Sequence, residues 1–118
     1  MKVASFAPLP PARSGVADYA DTLVSALRRY GDVSVGSNDS GADLALYHVG
    51  NNRLHREIYQ LALQQPGVVV LHDAVLNHFF LGTLRQDEYL EEFVYNYGEW
   101  NRGLAEGLWR DQIGRAYV

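Results

Sequence analysis

The segment Pro66–Asp73, PGVVVLHD, decides the class of fold. A proline-glycine pair ends the preceding element, and Val68–Leu71 follows as an uninterrupted apolar run that is mostly β-branched. Such a run is typical of a parallel strand that is covered on both faces. We therefore predict that Val68–Leu71 is a buried strand and that His72 and Asp73 stand at its carboxyl end.

The chain before this strand alternates strands with helices. Length, β-competent residues and flanking turns predict strands over Lys2–Ala7, Asp32–Gly36 and Leu44–Val49. Apolar residues recur at steps of three and four after Gly15 and again after Asn52, which indicates two helices. This alternation predicts an α/β, Rossmann-like fold with a mainly parallel sheet of about four strands and flanking helices.

Two sets of apolar residues are expected to be buried. The first is one face of the first helix, which contains Val16, Tyr19, Ala20, Leu23, Val24, Leu27 and Tyr30. After Asp73 the pattern is helical throughout, and residues 85–118 form a helical extension. The second set is the aromatic residues of that region, which are expected to pack in a core: Tyr89, Tyr95, Tyr97, Trp100 and Trp109.

The composition excludes several classes of protein. A length of 118 residues suits one domain or part of one. A formal charge of -4 and scattered basic residues argue against a nucleic-acid partner. The chain has no cysteine, so disulfides and thiolate metal sites are excluded. Neither a signal-peptide core nor a membrane span of roughly 20 apolar residues is visible, and we expect a cytoplasmic protein.

Three loops follow predicted strands at the edge where α/β sheets bind ligands, namely residues 8–15, 48–52 and 72–78. In the first, Ser14 and Gly15 precede a helix whose unpaired N–H groups attract an anion, and Arg13 could add a positive charge. The alternative is a tight turn that needs Gly15 for its backbone angles and binds nothing. The local motif favours that alternative, because it lacks a P-loop lysine and a complete GxGxxG.

The other two loops carry candidate binding and catalytic residues. His72 could bond a ligand hydroxyl or act as a general acid or base. Asp73 could orient it, bind a polyol or cap the next helix. Asn51 and Asn52 could bind sugar hydroxyls, or one of them could cap a helix.

The histidines also raise the question of a metal ion. Imidazole and carboxylate groups suit a first-row metal, and the candidates are His48, His55, His72, Asp73 and His78. No HxH or HExxH spacing is present, and the histidines lie on three separate predicted elements. We therefore predict no metal site.

Longer stretches of the chain resemble the amino-terminal domain of family 4 glycosyltransferases, which are retaining enzymes of GT-B architecture. APLPPARSGVADYADTLVSAL (residues 7–27) is similar to the first signature of that family. YHVGNNRLHREIYQLALQQPGVVVLHDAVLNHFF (Tyr47–Phe80) is similar to the next one, with its GN turn, helix, PGVVVLHD and following helix in order. The resemblance covers most of residues 1–80 and stops before Arg85.

The resemblance implies roles for the residues that match. The glycine loop after the first strand approaches the diphosphate and sugar of the donor, and Ser14 and Gly15 match it, with Arg13 beside them. His72 matches the family's histidine near the transferred sugar, and Asp73 is its neighbour. These two are the candidate catalytic residues, while the first three are candidates for binding the donor phosphates.

The resemblance also implies the partners of the site. This domain generally holds the acceptor, to which Asn51 and Asn52 could contribute, and a second Rossmann domain mostly holds the nucleotide. The nucleotide sugar is a substrate, so no cofactor and no metal ion are expected. The family's Glu-x7-Glu motif is mimicked by Glu91 and Glu99, but these lie in the helical extension, and we interpret the match as chance.

We therefore expect part of an acceptor-side domain from an enzyme that transfers a sugar, with retention, from a nucleotide-sugar donor to a carbohydrate or lipid-linked acceptor. The chain alone would be inactive, and the whole enzyme could be peripheral to the membrane. An incomplete sheet leaves an edge uncovered, so self-association is expected. The alternatives are a free-standing module that binds an anion or a partner protein, and a metal-dependent hydrolase using His72, Asp73 and His78.

Overall fold

The computed structural model describes residues 1–8, 15–36 and 41–116, without the side chains of 112–116. Two of the predicted donor-phosphate residues, Arg13 and Ser14, lie outside the described residues. In the described part the chain divides into two compact units, residues 1–76 and 77–118. The first contains the sheet and two α-helices, and the second is helical.

Four strands of the first unit form one parallel sheet, which confirms the predicted α/β, Rossmann-like fold. They are β1 (Lys2–Phe6), β2 (Asp32–Val35), β3 (Leu44–Val49) and β4 (Val68–Leu71). Their order is β2-β1-β3-β4, and all three pairings are parallel. The order reverses between β1 and β3, which is the position where open α/β sheets bind ligands.

The helices follow the predicted alternation. In the first unit α1 is Gly15–Leu27, and a 3₁₀ turn at Arg53–His55 leads into α2 (Arg56–Gln64). In the second unit the helices are α3 (Asn77–Thr83), α4 (Gln86–Tyr97), a 3₁₀ turn (Glu99–Asn101) and α5 (Arg102–Ala116).

One face of the sheet packs against α2. Phe6 and Tyr47 are register partners on β1 and β3, and their rings stack with centroids 5.4 Å apart. The α2 residues that pack on this cluster are Ile58, Leu61 and Ala62. Their spacing agrees with the apolar periodicity that indicates a helix after Asn52.

The buried face of α1 agrees with the predicted one in part, since Ala20 and Val24 belong to both. Its buried residues are Ala17, Ala20 and Val24, at steps of three and four. Tyr19 and Tyr30, which were predicted to be in the core, are exposed. Small side chains allow a helix to pack closely, so Ala17 and Ala20 of α1 are buried while the larger Tyr19 stays about half exposed.

Strand β4 is one of the two outer strands in the sheet order, and the prediction that it is covered on both faces is wrong. Its residues Val68, Val69 and Leu71 are 46%, 50% and 52% exposed. The strand with the buried run is β3, from Leu46 to Val49. A β-branched run indicates a strand, but it contains no information about how many neighbours that strand has.

The second unit has its own small core, in which Leu81, Tyr89 and Ala105 are buried. Trp109 packs against Tyr89 with ring centroids 5.6 Å apart, so the prediction that these two aromatic residues pack in a core is confirmed. The prediction is wrong for the other three, because Tyr95, Tyr97 and Trp100 are exposed. A helix with one buried stripe leaves aromatic residues on its other sides in solvent.

The two glutamates that mimic a transferase motif have a structural partner. Arg102 Nη2 lies 3.6 Å from Glu91 Oε1, and Arg102 Nε lies 2.7 Å from Glu99 Oε1. Both glutamates therefore belong to an ion-pair network around one arginine. This is consistent with the interpretation of the motif match as chance.

Candidate functional site

The carboxyl edge of the sheet brings two histidines together. His48 is the next to last residue of β3, beside the reversal in strand order, and His72 directly follows β4. The two rings stack with centroids 5.1 Å apart, and His48 Nδ1 lies 2.8 Å from His72 Nε2. The backbone N–H of His72 donates to the carbonyl of Val49 at 2.9 Å, so the strand pairing extends to this residue.

Tyr19 of α1 joins this pair. Its ring meets the ring of His72 edge-on at 5.2 Å and that of His48 at 5.9 Å, measured between centroids. Tyr19 lies one helical turn after Gly15, the first residue of α1. The start of α1 and the histidine pair therefore lie at the same edge of the sheet.

A third histidine, His55, bonds to the backbone of His48. His55 is fully buried, and its Nδ1 lies 2.7 Å from the carbonyl oxygen of His48. A carbonyl only accepts, so Nδ1 of His55 carries the proton and donates it. The ring lies against the chain at Gly50, where a β-carbon would be 2.8 Å from His55 Nε2. His55 thus ties the start of the α2 region to the end of β3.

Both buried histidines are neutral at physiological pH. Burial lowers the pKa of His48 to about 4, and the nearby His72 and His55 lower it further in that order of importance. Burial also lowers the pKa of His55, although its hydrogen bond to the His48 carbonyl opposes this. His48 and His55 therefore bring two uncharged imidazole rings to this edge of the sheet.

The predicted polar residues are arranged around the loop at residues 48–52. The backbone N–H of Asn51 donates to Oδ2 of Asp73 at 2.7 Å, and the side chain of Asn52 accepts from the N–H of Leu54 at 2.9 Å. Asn52 is therefore the cap of the 3₁₀ turn, which was the alternative to a sugar-binding role. Asp73 does not cap the next helix, because α3 begins only at Asn77.

The backbone of Gly15 has a conformation that other residues can also adopt. In the described part of the chain, positive φ angles occur at Gly36 and Gly98, so the helical backbone angles of Gly15 do not themselves require a glycine. A β-carbon at position 15 would have no described atom within 4 Å. No described residue therefore occupies the space beside the β-carbon position of Gly15.

The described residues contain no group of three histidine, aspartate or glutamate side chains that could hold a metal ion. His48 and His72 bond to one another, and His55 bonds to a carbonyl group. His78 lies on α3, in the second unit, and is exposed. Four of the five candidate ligands therefore form hydrogen bonds within the protein. They are His48, His55, His72 and Asp73.

Sequence reasoning missed part of the site. His48 and His55 were considered only as metal ligands, and Tyr19 only as a core residue. One signal was available for Tyr19, which lies one turn after the candidate glycine. No local signal pairs His48 with His72, because that contact depends on the neighbouring positions of β3 and β4.

An open depression of about 550 Å³ lies elsewhere in the first unit. It is lined by Lys2, Arg28, Asp32 and Ser34, at the amino ends of β1 and β2. Ligands of open α/β sheets bind at the opposite, carboxyl edge. We therefore place the candidate site at the histidine pair.

The sheet order and the position of this site define a Rossmann-like α/β protein. Comparisons with protein-family models, curated proteins and solved structures found no match. In the described part of the chain, no helix is both long enough and apolar enough to cross a membrane.

Proposed function

We propose that this chain provides the acceptor-side part of a retaining glycosyltransferase of GT-B architecture. Its donor is a nucleotide sugar, and its acceptor is a carbohydrate or a lipid-linked sugar. One observation carries the proposal. Three segments that resemble the family in sequence, around Gly15, Asn51 and His72, meet at the carboxyl edge of one parallel sheet.

The start of α1 suits the donor's diphosphate. The first N–H groups of a helix have no partner within the helix, and they bear a partial positive charge. Gly15 adds no side chain, and no described atom lies within 4 Å of its β-carbon position. A phosphate group can therefore approach the backbone of this turn closely.

His72 and Asp73 suit the hydroxyl groups of a sugar. His72 is partly exposed, and its ring is held between Tyr19 and His48. Asp73 is exposed and accepts a hydrogen bond from Asn51. One imidazole and one carboxylate beside each other offer a donor and an acceptor to a polyol.

Activity also requires a second Rossmann domain. In GT-B enzymes that domain holds most of the nucleotide and stabilises the leaving diphosphate. The described residues contain one sheet, and at its carboxyl edge His72 is partly exposed and Asp73 is exposed. We therefore expect this chain alone to bind a donor weakly and to transfer no sugar.

Backbone amide NMR of the ¹⁵N-labelled chain, titrated with UDP- and GDP-sugars, tests the proposal. We expect shift changes at Gly15, Val16, His72 and Asp73 and none at Asp32 on the opposite edge. G15A should weaken these changes because its methyl group occupies the space beside the first turn. The matched control is G103A, since Gly103 is also helical with no described atom near its β-carbon position. Changes confined to the opposite edge would contradict the proposal.

A free-standing anion-binding module is the second candidate, and the lack of any described atom within 4 Å of the β-carbon position of Gly15 favours it equally. That function needs no sugar and no second domain. Inorganic pyrophosphate alone would then saturate the chain, and a nucleotide sugar would bind no more tightly. Binding that depends on the sugar supports the transferase instead.

A further inference from the structure

The histidine pair shares a single proton between its facing nitrogens. A neutral imidazole has one N–H donor and one acceptor nitrogen. The distance of 2.8 Å between His48 Nδ1 and His72 Nε2 is that of a hydrogen bond, so one of these two atoms donates and the other accepts. The direction of this bond sets the tautomer of both rings.

Burial of His48 decides the direction. Nε2 of His48 is buried and has no hydrogen-bond partner among the described residues. A proton on that atom would leave an orphaned N–H, which is rarer in native structures than an under-satisfied acceptor. The proton of His48 is therefore on Nδ1, which donates to Nε2 of His72.

The surroundings of His48 keep the ring in this orientation. His48 is fully buried, Tyr19 lies edge-on against its ring, and His55 bonds to its carbonyl oxygen. The titratable groups around it are His72, His55, Tyr19 and, behind His55, Asp73. With His48 neutral over the physiological range, its N–H remains available to His72.

We propose that His48 is a positioning residue that holds His72 in the tautomer with its proton on Nδ1. His72 then presents an N–H donor to its ligand. It has no unshared electron pair free for proton abstraction, because Nε2 is occupied by His48. The ligand group that fits is an oxygen acceptor, such as a sugar hydroxyl or a phosphate oxygen. The identity of that ligand rests on the proposed function, whereas the tautomer does not.

Long-range ¹H–¹⁵N correlation of the histidine rings in the whole chain at neutral pH tests this assignment. We expect a protonated Nδ1 and an unprotonated Nε2 for His72, and the same for His48. A protonated Nε2 on His72 in the wild-type chain would overturn the proposal. This measurement needs no variant, so a folding defect does not affect it.

Two variants test the role of His48. H48F removes the donor, so the His72 ring nitrogens should shift toward values that average both tautomers. H48N places an amide N–H near the former Nδ1 and should restore the wild-type pattern. H78F is the matched control, because His78 is exposed on α3 and should leave His72 unchanged. Unchanged His72 shifts in folded H48F would also overturn the proposal.

The two proposals fail separately. The ring spectra contain no ligand, so they report only on the effect of His48 on His72. If His72 has the expected tautomer and the nucleotide-sugar titration shows no binding, the transferase function fails and the role of His48 stands. If donors bind and His72 carries its proton on Nε2, the reverse holds.

Discussion

His48 Nδ1 and His72 Nε2 lie 2.8 Å apart although 24 residues separate them in the chain. Their hydrogen bond joins the ends of β3 and β4, which are parallel neighbours in the sheet. Because β4 is an outer strand, it pairs only with β3 in the sheet, and this side-chain bond adds to that backbone pairing. The pair is therefore both part of the candidate site and a support of the sheet edge.

Truncation of His48 should destabilise the protein more than truncation of any exposed histidine. H48A leaves a cavity in a fully buried position and removes the partner of His72. We expect a loss of about 2–4 kcal/mol in the free energy of unfolding. Urea denaturation followed by circular dichroism measures it. H78A serves as the control, and an equal effect of the two substitutions would show that the histidine pair has no structural role.

Stability should fall in mild acid because of the buried histidines. The pKa of His48 is about 4 in the folded protein, against 6.5 when unfolded. The unfolded chain therefore binds the proton first, and the contribution is complete above pH 6.5 and is lost as the pH falls through 4. We expect a loss of about 1–3 kcal/mol over this window, with His55 acting in the same direction.

Urea midpoints measured across this pH range test that sign. The H48F variant has no group to protonate at this position, so its stability should depend less steeply on pH. A wild-type stability that stays constant or rises in acid would contradict the burial argument.

Gly50 should not tolerate a side chain. A β-carbon there would lie 2.8 Å from Nε2 of the fully buried His55, so G50A must displace that ring. We expect a loss of about 1–3 kcal/mol, as in other overpacked sites. G103A is the control, since an alanine in that helical position meets no described atom and should be neutral or stabilising.

Double substitution separates this clash from a general effect on the loop. G50A combined with H55A should cost less than the sum of the single changes, because the ring that clashes is then absent. Strict additivity in denaturation experiments would place the cost of G50A elsewhere.

The outer strand β4 should promote self-association of the chain. Val68, Val69 and Leu71 of β4 are about half exposed, and the strand contains neither a charge nor a proline, the features that protect sheet edges. We expect the mass measured by light scattering to rise with concentration. V69K should reduce this rise, while Y30K, at an exposed residue outside the sheet, should not. A chain that remains monomeric at every concentration would contradict the expectation.

Much of the fold could be predicted because the determinants are local. The bounds of β3 and β4 agree with the predicted runs, and α1 begins at the glycine that ends the proline-rich loop. Strand-helix alternation requires parallel pairing, since a helical crossover returns the chain to the same end of the sheet. For this reason the ends of β3 and β4 and the start of α1 lie at the predicted edge, while residues 9–14 of the first loop lie outside the described residues.

The wrong predictions concern the burial of β4 and of Tyr19, which depends on the segments that pack against them. The run Val68–Leu71 is equally compatible with a central and an outer strand, because β-branched residues suit both. Tyr19 follows the helical spacing of a core residue, yet the smaller alanines of α1 occupy the position against the sheet. The binding roles of Asn52 and Asp73 stay predictions, and the folded loop adds one hydrogen bond to each, from the backbone N–H of Leu54 and of Asn51 respectively.

Local sequence therefore determines the strands, the helices and the edge at which ligands would bind. This is possible because periodicity, turn residues and crossover geometry act over a few residues. The tertiary structure alone decides that His48 meets His72, that His55 is buried behind them and that β4 is an outer strand. These features depend on strand order, and strand order is set by the packing of segments that are distant in the chain.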